Sequence, residues 1–136
     1  ELPLTGGGRR VLIVEDDLIS AEVTAELLRA VGLVPERAID GTQALRLARS
    51  GGYAAILMDM HMPVLDGIEA AKLIRGLPAG AEVPIIGVTA DAFADARDRC
   101  LAAGMNEVIV KPFDPERLYA ALDRWLGNGG AAGNQD

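Results

Sequence analysis

Short apolar runs alternate along the chain with stretches whose apolar residues recur every three or four positions. Val11-Leu12-Ile13-Val14 is continuously apolar, the pattern of a strand covered on both faces. Ile19, Val23, Leu27 and Ala30-Val31 then recur at helical spacing, which predicts a helix with that stripe, stopped by Gly32. Residues 33–39 read as a second strand. Gly41 to Ser50 predicts a short helix with Ala44, Leu45 and Ala48 inward, ended by Gly51-Gly52. Tyr53 to Met58 is a third strand. Asp66 followed by Glu69 resembles a capping box, before a helix with Ile68, Ala71 and Ile74 on one face. Val83 to Thr89 is a fourth strand, Phe93 to Ala103 a helix closed by Gly104, and Val108 to Val110 a fifth strand. The last helix has Asp114 as N-cap and Pro115 at its first position. Its inner face is Leu118, Ala121, Leu122 and Trp125, and Gly127 ends it.

Five strands alternating with five helices imply right-handed crossovers and a parallel sheet with helices on both faces. Folds of this class place their sites at the carboxyl ends of the strands. Both ends of the chain read as flexible linker, residues 1–8 with three successive glycines and residues 127–136 with little to bury. The folded unit is expected over residues 9–126, and no internal repeat is visible.

Composition narrows the function. The 136 residues are 50 % hydrophobic and 24 % charged, enough for a core and inconsistent with a disordered chain. Lys plus Arg is 13 against 20 for Asp plus Glu, a net charge of −7 that repels nucleic-acid backbones. Two Phe, two Tyr and one Trp leave few surfaces for stacking bases. A single Cys excludes an internal disulfide and a multi-cysteine metal site. No apolar run approaches a membrane span, and the first residues lack the basic start and apolar core of a signal peptide. The expectation is a cytoplasmic protein that contacts neither nucleic acid nor membrane.

The strand ends carry the chemistry. Glu15, Asp16 and Asp17 follow the first strand, Asp59 ends the third, Thr89 ends the fourth, and Lys111-Pro112 follows the fifth. Carboxylates converging in this way repel one another, and a hard cation with oxygen ligands relieves the repulsion. A few carboxylates plus water suit Mg²⁺ better than a full Ca²⁺ cage. Such a site receives a phosphoryl group: the metal and Lys111 neutralise its oxygens, Thr89 donates a hydrogen bond, and an Asp carboxylate serves as nucleophile. Asp59, on the central strand, is best placed.

Val14-Glu15-Asp16-Asp17, the segment from Met58-Asp59-Met60 through His61-Met62-Pro63 to Asp66-Gly67, Val88-Thr89-Ala90 and Val110-Lys111-Pro112-Phe113 occur in this order and together resemble the receiver domain of two-component response regulators. The resemblance covers nearly all of residues 9–126. It implies a flavodoxin-like α/β fold, doubly wound (βα)5, with a five-stranded parallel sheet in the order 2-1-3-4-5. It implies that Asp59 accepts phosphate from a histidine kinase or histidine phosphotransfer domain. Asp16 would bind Mg²⁺ directly, Glu15 directly or through water, and His61 through its backbone carbonyl. Thr89 would contact the phosphoryl group, and Lys111 would pair with Asp59 before phosphorylation and with phosphoryl oxygens afterwards. The Lys111-Pro112 bond is implied to be cis. A downstream protein partner would read the changed surface around the fourth and fifth strands, and the domain would catalyse only its own phosphorylation and dephosphorylation.

One position departs from the pattern. Many receivers carry an aromatic residue three positions before the lysine, where this chain has Val108. His61 and Asp91 flank the path of hydrolytic water in the family. The segments around Asp59 and Thr89, with Cys100 to Met105, are most similar to receivers of hybrid sensor histidine kinases. The linker-like ends lead us to expect one excised from such a kinase, with a stand-alone regulator as the alternative. Simpler readings stand beside these: Asp17 as a helix cap, Cys100 as a small buried hydrophobe, His61 as a solvent-facing loop residue and Trp125 as packing. A docking module without chemistry is a further alternative. A cobalamin-type binding domain fits less well, because Asp59-Met60-His61 continues to Val64 where glycine is required. A phosphatase-like hydrolase fits less well too, because it needs D-x-D after the first strand.

Overall fold

Five parallel strands, β1 (Arg10–Val14), β2 (Val34–Ala38), β3 (Tyr53–Asp59), β4 (Ile85–Thr89) and β5 (Glu107–Val110), form one sheet in the order β2-β1-β3-β4-β5. The helices between them are α1 (Leu18–Arg29), α2 (Gly41–Ser50), α3 (Gly67–Arg75), α4 (Ala94–Ala102) and α5 (Pro115–Leu126). The computed structural model describes residues 8–60, 65–90, 94–112 and 114–126. The expected fold and strand order are therefore both present.

The pleat sends alternate residues of each strand to opposite layers. Val11, Ile13, Ala55, Leu57, Ile86 and Ile109 pack with Ala25 and Leu28 of α1 and with Leu118, Ala121 and Leu122 of α5. Leu12, Val14, Ile56, Met58 and Ile85 pack on the other side with α2, α3 and Cys100 of α4. Both faces of β1 and β3 are thus covered, which is why those strands read as unbroken apolar runs. At the edge, β2 carries Pro35, whose missing N–H is tolerated there.

Four helices open with an aspartate cap. Asp17 accepts from Ser20 N at 2.8 Å, Asp40 from Gln43 N at 2.8 Å, Asp66 from Glu69 N at 2.9 Å and Asp114 from Arg117 N at 2.9 Å. Each such cap contributes about 1 kcal/mol. Each also starts its helix at the carboxyl end of the preceding strand.

The structure departs from the pattern in α1. The stripe Ile19, Val23 and Leu27 predicts the buried face, but Ile19 is 74 % and Val23 57 % exposed, with Leu18 at 58 %. Ala21, Ala25 and Leu28 face the sheet instead. Alanine lets the helix lie close to β1, and the larger side chains turn outward. Smaller differences have local causes. β4 starts at Ile85, not Val83, because Pro84 offers only its carbonyl, which accepts from Ile56 N at 2.8 Å. A single 3-10 turn, Pro78–Gly80, precedes it. β3 runs on to Asp59, and β5 begins at Glu107, whose carboxylate holds Arg124 and the Trp125 indole.

The edge of the sheet where the strands begin is tied by two side-chain networks. Arg75 donates to the carbonyls of Gly104 at 2.9 Å and Gly80 at 2.8 Å, and to Asn106 Oδ1 at 2.9 Å. That Asn106 oxygen also accepts from Ile85 N at 2.8 Å. Glu36 accepts from Arg10 at 2.9 Å and from the Tyr53 hydroxyl at 2.7 Å, while the Arg10 guanidinium lies 4.4 Å over the Tyr53 ring.

Gly67 begins α3 against the end of β3. A Cβ there would lie 2.7 Å from the Asp59 carbonyl and 3.0 Å from Met60 Cα, backbone that cannot yield cheaply. Gly67→Ala should cost about 1–3 kcal/mol through overpacking, more than the helix propensity it gains. Gly76, whose nearest neighbour would be 3.4 Å away, should accept alanine nearly neutrally. Denaturant unfolding of the two variants checks the contrast.

Candidate functional site

Among the described residues, the buried polar or charged side chains are Glu15, Asp59 and Thr89, and all three lie at the carboxyl edge of the sheet. β1 and β3 are neighbours, with Val14 opposite Met58, so the residues that follow them are set side by side. Carboxylate oxygens of Glu15, Asp16 and Asp59 lie within 4.8 Å of one another. Asp17 is not in this cluster; its side chain caps α1.

Lys111 reaches the cluster from the far side. Its Nζ is 3.4 Å from Glu15 Oε1 and 3.6 Å from Asp59 Oδ1. The backbone is tied to β4, with Lys111 N donating to the Thr89 carbonyl at 2.7 Å. The Lys111-Pro112 peptide bond is cis, as the resemblance implied. Thr89 ends β4, with Asp59 and Val88 register partners across the adjoining strands. Glu15 is held at three points. Its N–H donates to the Ala38 carbonyl at 3.0 Å, its Oε2 accepts from Asp17 N at 3.1 Å, and Lys111 lies by its other oxygen. Burial pushes the Glu15 carboxyl above its ordinary range, opposed by the Asp17 N–H; Asp59 adds to the rise and Lys111 counters it. The rise is chiefly the cost of burying the carboxylate, to which the neighbouring Asp59 adds.

Such a donor set, hard oxygens with an ammonium alongside, fits Mg²⁺ rather than a softer ion. It also fits a phosphoryl group, whose oxygens would lie between the metal and Lys111. Sequence reasoning did not single out Arg37. This residue of β2 donates from Nε to the Glu15 carbonyl and from Nη2 to the Asp16 carbonyl, each at 3.0 Å. The signal was its place in the parallel register, opposite Ile13 of β1, which is legible only once the strand order is known.

An apolar groove of about 560 Å³ runs from Asp59 and Lys111 between α1 and α5, walled by Ile19, Val23, Leu27 and Leu118. Val108 is half-buried against the layer that contains Met60, Cys100 and Met105. Cys100 is buried and unpaired with any other cysteine, and burial raises its thiol pKa. His61 and Asp91, with Phe93 and Phe113, lie outside the described residues, so the carbonyl assigned to His61 has no geometry here. No helix among the described residues is long and apolar enough to cross a membrane.

The family model for the response regulator receiver domain matches residues 11–123. The signal transduction histidine-protein kinase BarA of Escherichia coli K12 is 35 % identical over 132 residues, covering 95 % of this chain but only 14 % of that protein. This chain therefore corresponds to a small part of such relatives. Among solved structures, the receiver domain of the sensor histidine kinase PA1611 from Pseudomonas aeruginosa PAO1, with magnesium coordinated in its active-site cleft, superposes with a TM-score of 0.83. It is 43 % identical, over 88 % of this chain and 98 % of that one. The receiver domain of Saccharomyces cerevisiae Ssk1, crystallised with the histidine phosphotransfer protein Ypd1, is 31 % identical with a TM-score of 0.79, over 87 % of this chain and 88 % of that one. Fold, acidic cluster and family match agree: the chain belongs to the response regulator receiver domains of two-component signalling and is homologous to the receivers of hybrid histidine kinases.

Proposed function

We propose that this domain takes a phosphoryl group onto Asp59 from a phosphohistidine of a histidine kinase or histidine phosphotransfer domain. The observation that carries the reading is the convergence of Glu15 and Asp16 on Asp59 within 4.8 Å, with Lys111 at 3.6 Å. An Asp59 carboxylate oxygen forms the new P–O bond as the P–N bond to the donor imidazole breaks, and the imidazole leaves with the bonding pair and takes up a proton. Glu15, Asp16, Asp59 and the His61 carbonyl would hold Mg²⁺, which when bound neutralises charge on the transferring group. Lys111 neutralises a second side of the group, and the Thr89 hydroxyl donates to it. The structural position of Thr89, tied through its carbonyl to Lys111 N, supports a response that spreads along β4 and β5 to a surface read by a downstream protein.

The donor side has support of its own. Leu18, Ile19 and Val23 present an apolar row beside the site, and the groove behind them is far larger than a phosphoryl group needs. We assign this face of α1 to the phosphodonor, whose helix would cover it. The wider protein reads as a hybrid sensor histidine kinase, cytoplasmic at this domain, with residues 1–8 and 127–136 as linkers on either side of 9–126. A stand-alone regulator is the alternative. The domain turns over no external metabolite.

Three measurements test this reading. Incubation with Mg²⁺ and acetyl phosphate should add one alkali-labile phosphoryl group by intact mass, and Asp59→Asn should abolish the addition with its circular dichroism unchanged. Lys111→Ala should still bind Mg²⁺ but fail to pass the signal; a normal partner response would remove the role given to Lys111. The pair Ile19→Glu with Val23→Glu should slow transfer from a phosphorylated protein donor about ten-fold or more while leaving acetyl phosphate turnover unchanged.

A further inference from the structure

Three carboxylates held together without a metal push one another apart, and the weakest point in their support is the loop that carries two of them. Glu15 is anchored through its own side chain by Asp17 N and Lys111. Asp16 has no such anchor. Its residue is exposed, and among the described residues its side chain has no hydrogen bond or ion pair. What fixes its backbone is Arg37. The two parallel bonds from Nε and Nη2, each 3.0 Å, bridge the successive carbonyls of Glu15 and Asp16. The guanidinium thus turns its donors to main-chain oxygens although the Asp17 carboxylate is close enough to feel its charge. Arg124 and Arg10 instead grip carboxylates, those of Glu107 and Glu36, while Arg75, like Arg37, ties main-chain carbonyls, those of Gly80 and Gly104. A planar fork with two fixed N–H vectors is preorganised to span two successive carbonyls, where an ammonium on a flexible stem is not.

We propose that Arg37 is a positioning residue for the metal centre, clamping the Glu15–Asp16 backbone from β2 so that both carboxylates face Asp59 before the cation arrives. The inference rests on the metal reading above. Arg37 touches neither the cation nor the phosphoryl group; it acts through the loop. Residues that orient metal ligands in this way are usually felt in affinity rather than in the step that follows.

The test uses the full chain and Mg²⁺ itself, titrated calorimetrically into the parent, Arg37→Met and Arg37→Lys. Arg37→Met should raise the Mg²⁺ Kd about ten-fold, with Arg37→Lys recovering little of the loss. In metal-free protein the amide resonances of Glu15, Asp16 and Asp17 should shift or broaden in Arg37→Met, while those of Leu57 and Ile86 in the core stay put. At saturating Mg²⁺ the initial rate with acetyl phosphate should return to within about two-fold of the parent, the signature of positioning rather than chemistry. An unchanged Kd in Arg37→Met, full recovery by Arg37→Lys, or a rate that stays depressed at saturating Mg²⁺ would each overturn the proposal. Absence of Mg²⁺ binding to the parent would remove the metal reading itself, a result distinct from all of these.

Discussion

Mutual repulsion of carboxylates at the end of the sheet is the constraint around which the rest of this domain is arranged. Two like charges about 4 Å apart cost on the order of 4 kcal/mol at the screening typical of a protein surface, and more when partly buried. A single domain has a net stability only a few times larger. The fold holds Glu15, Asp16 and Asp59 together through the β1–β3 ladder, the Asp17 amide, the Lys111 ammonium and the grip of β2 on the loop. What remains uncompensated is the site's affinity for a cation and for the group a cation brings.

The same economy explains the shape of the two layers. α1 approaches the sheet through Ala21 and Ala25, small enough to bring its capped start beside Glu15, and its large apolar residues are left outside. On the opposite layer, glycines at α2 and α3 allow comparable closeness: Gly41 lies against the Leu65 carbonyl and Gly67 against that of Asp59. Close packing near the acceptor is therefore achieved by small residues on both sides, and the bulky apolar side chains displaced from one of them, Leu18, Ile19 and Val23, are left on the outside of α1.

Much of this was legible in the sequence, for reasons that differ by residue. Val11 to Val14 and Ala55 to Met58 are apolar on both faces because both faces are covered, so their strands announced themselves. Asp17, Asp66 and Asp114 marked helix starts because a short carboxylate at that place satisfies orphan amides, and the structure adds Asp40 before α2. Asp59, Thr89 and Lys111 were found by combining strand ends with chemistry. Periodicity failed in α1, because a helical stripe shows where apolar residues lie and not which of two possible faces meets the sheet; the alanines decided that. Arg37 was invisible for a different reason. Its function lies in bonds to main-chain oxygens of a neighbouring strand, which no pattern of side-chain types encodes.

The two rims of the sheet carry opposite burdens. Where the strands begin, Arg75 gathers three oxygens from two segments, and Arg10, Glu36 and Tyr53 lock the first three strands to one another. Where the strands end, charge is concentrated and carbonyl-to-amide ties such as that between Thr89 and Lys111 link the working residues. The ties that resist movement and the charge that a cation would neutralise are thus kept a strand's length apart, at opposite ends of the same sheet.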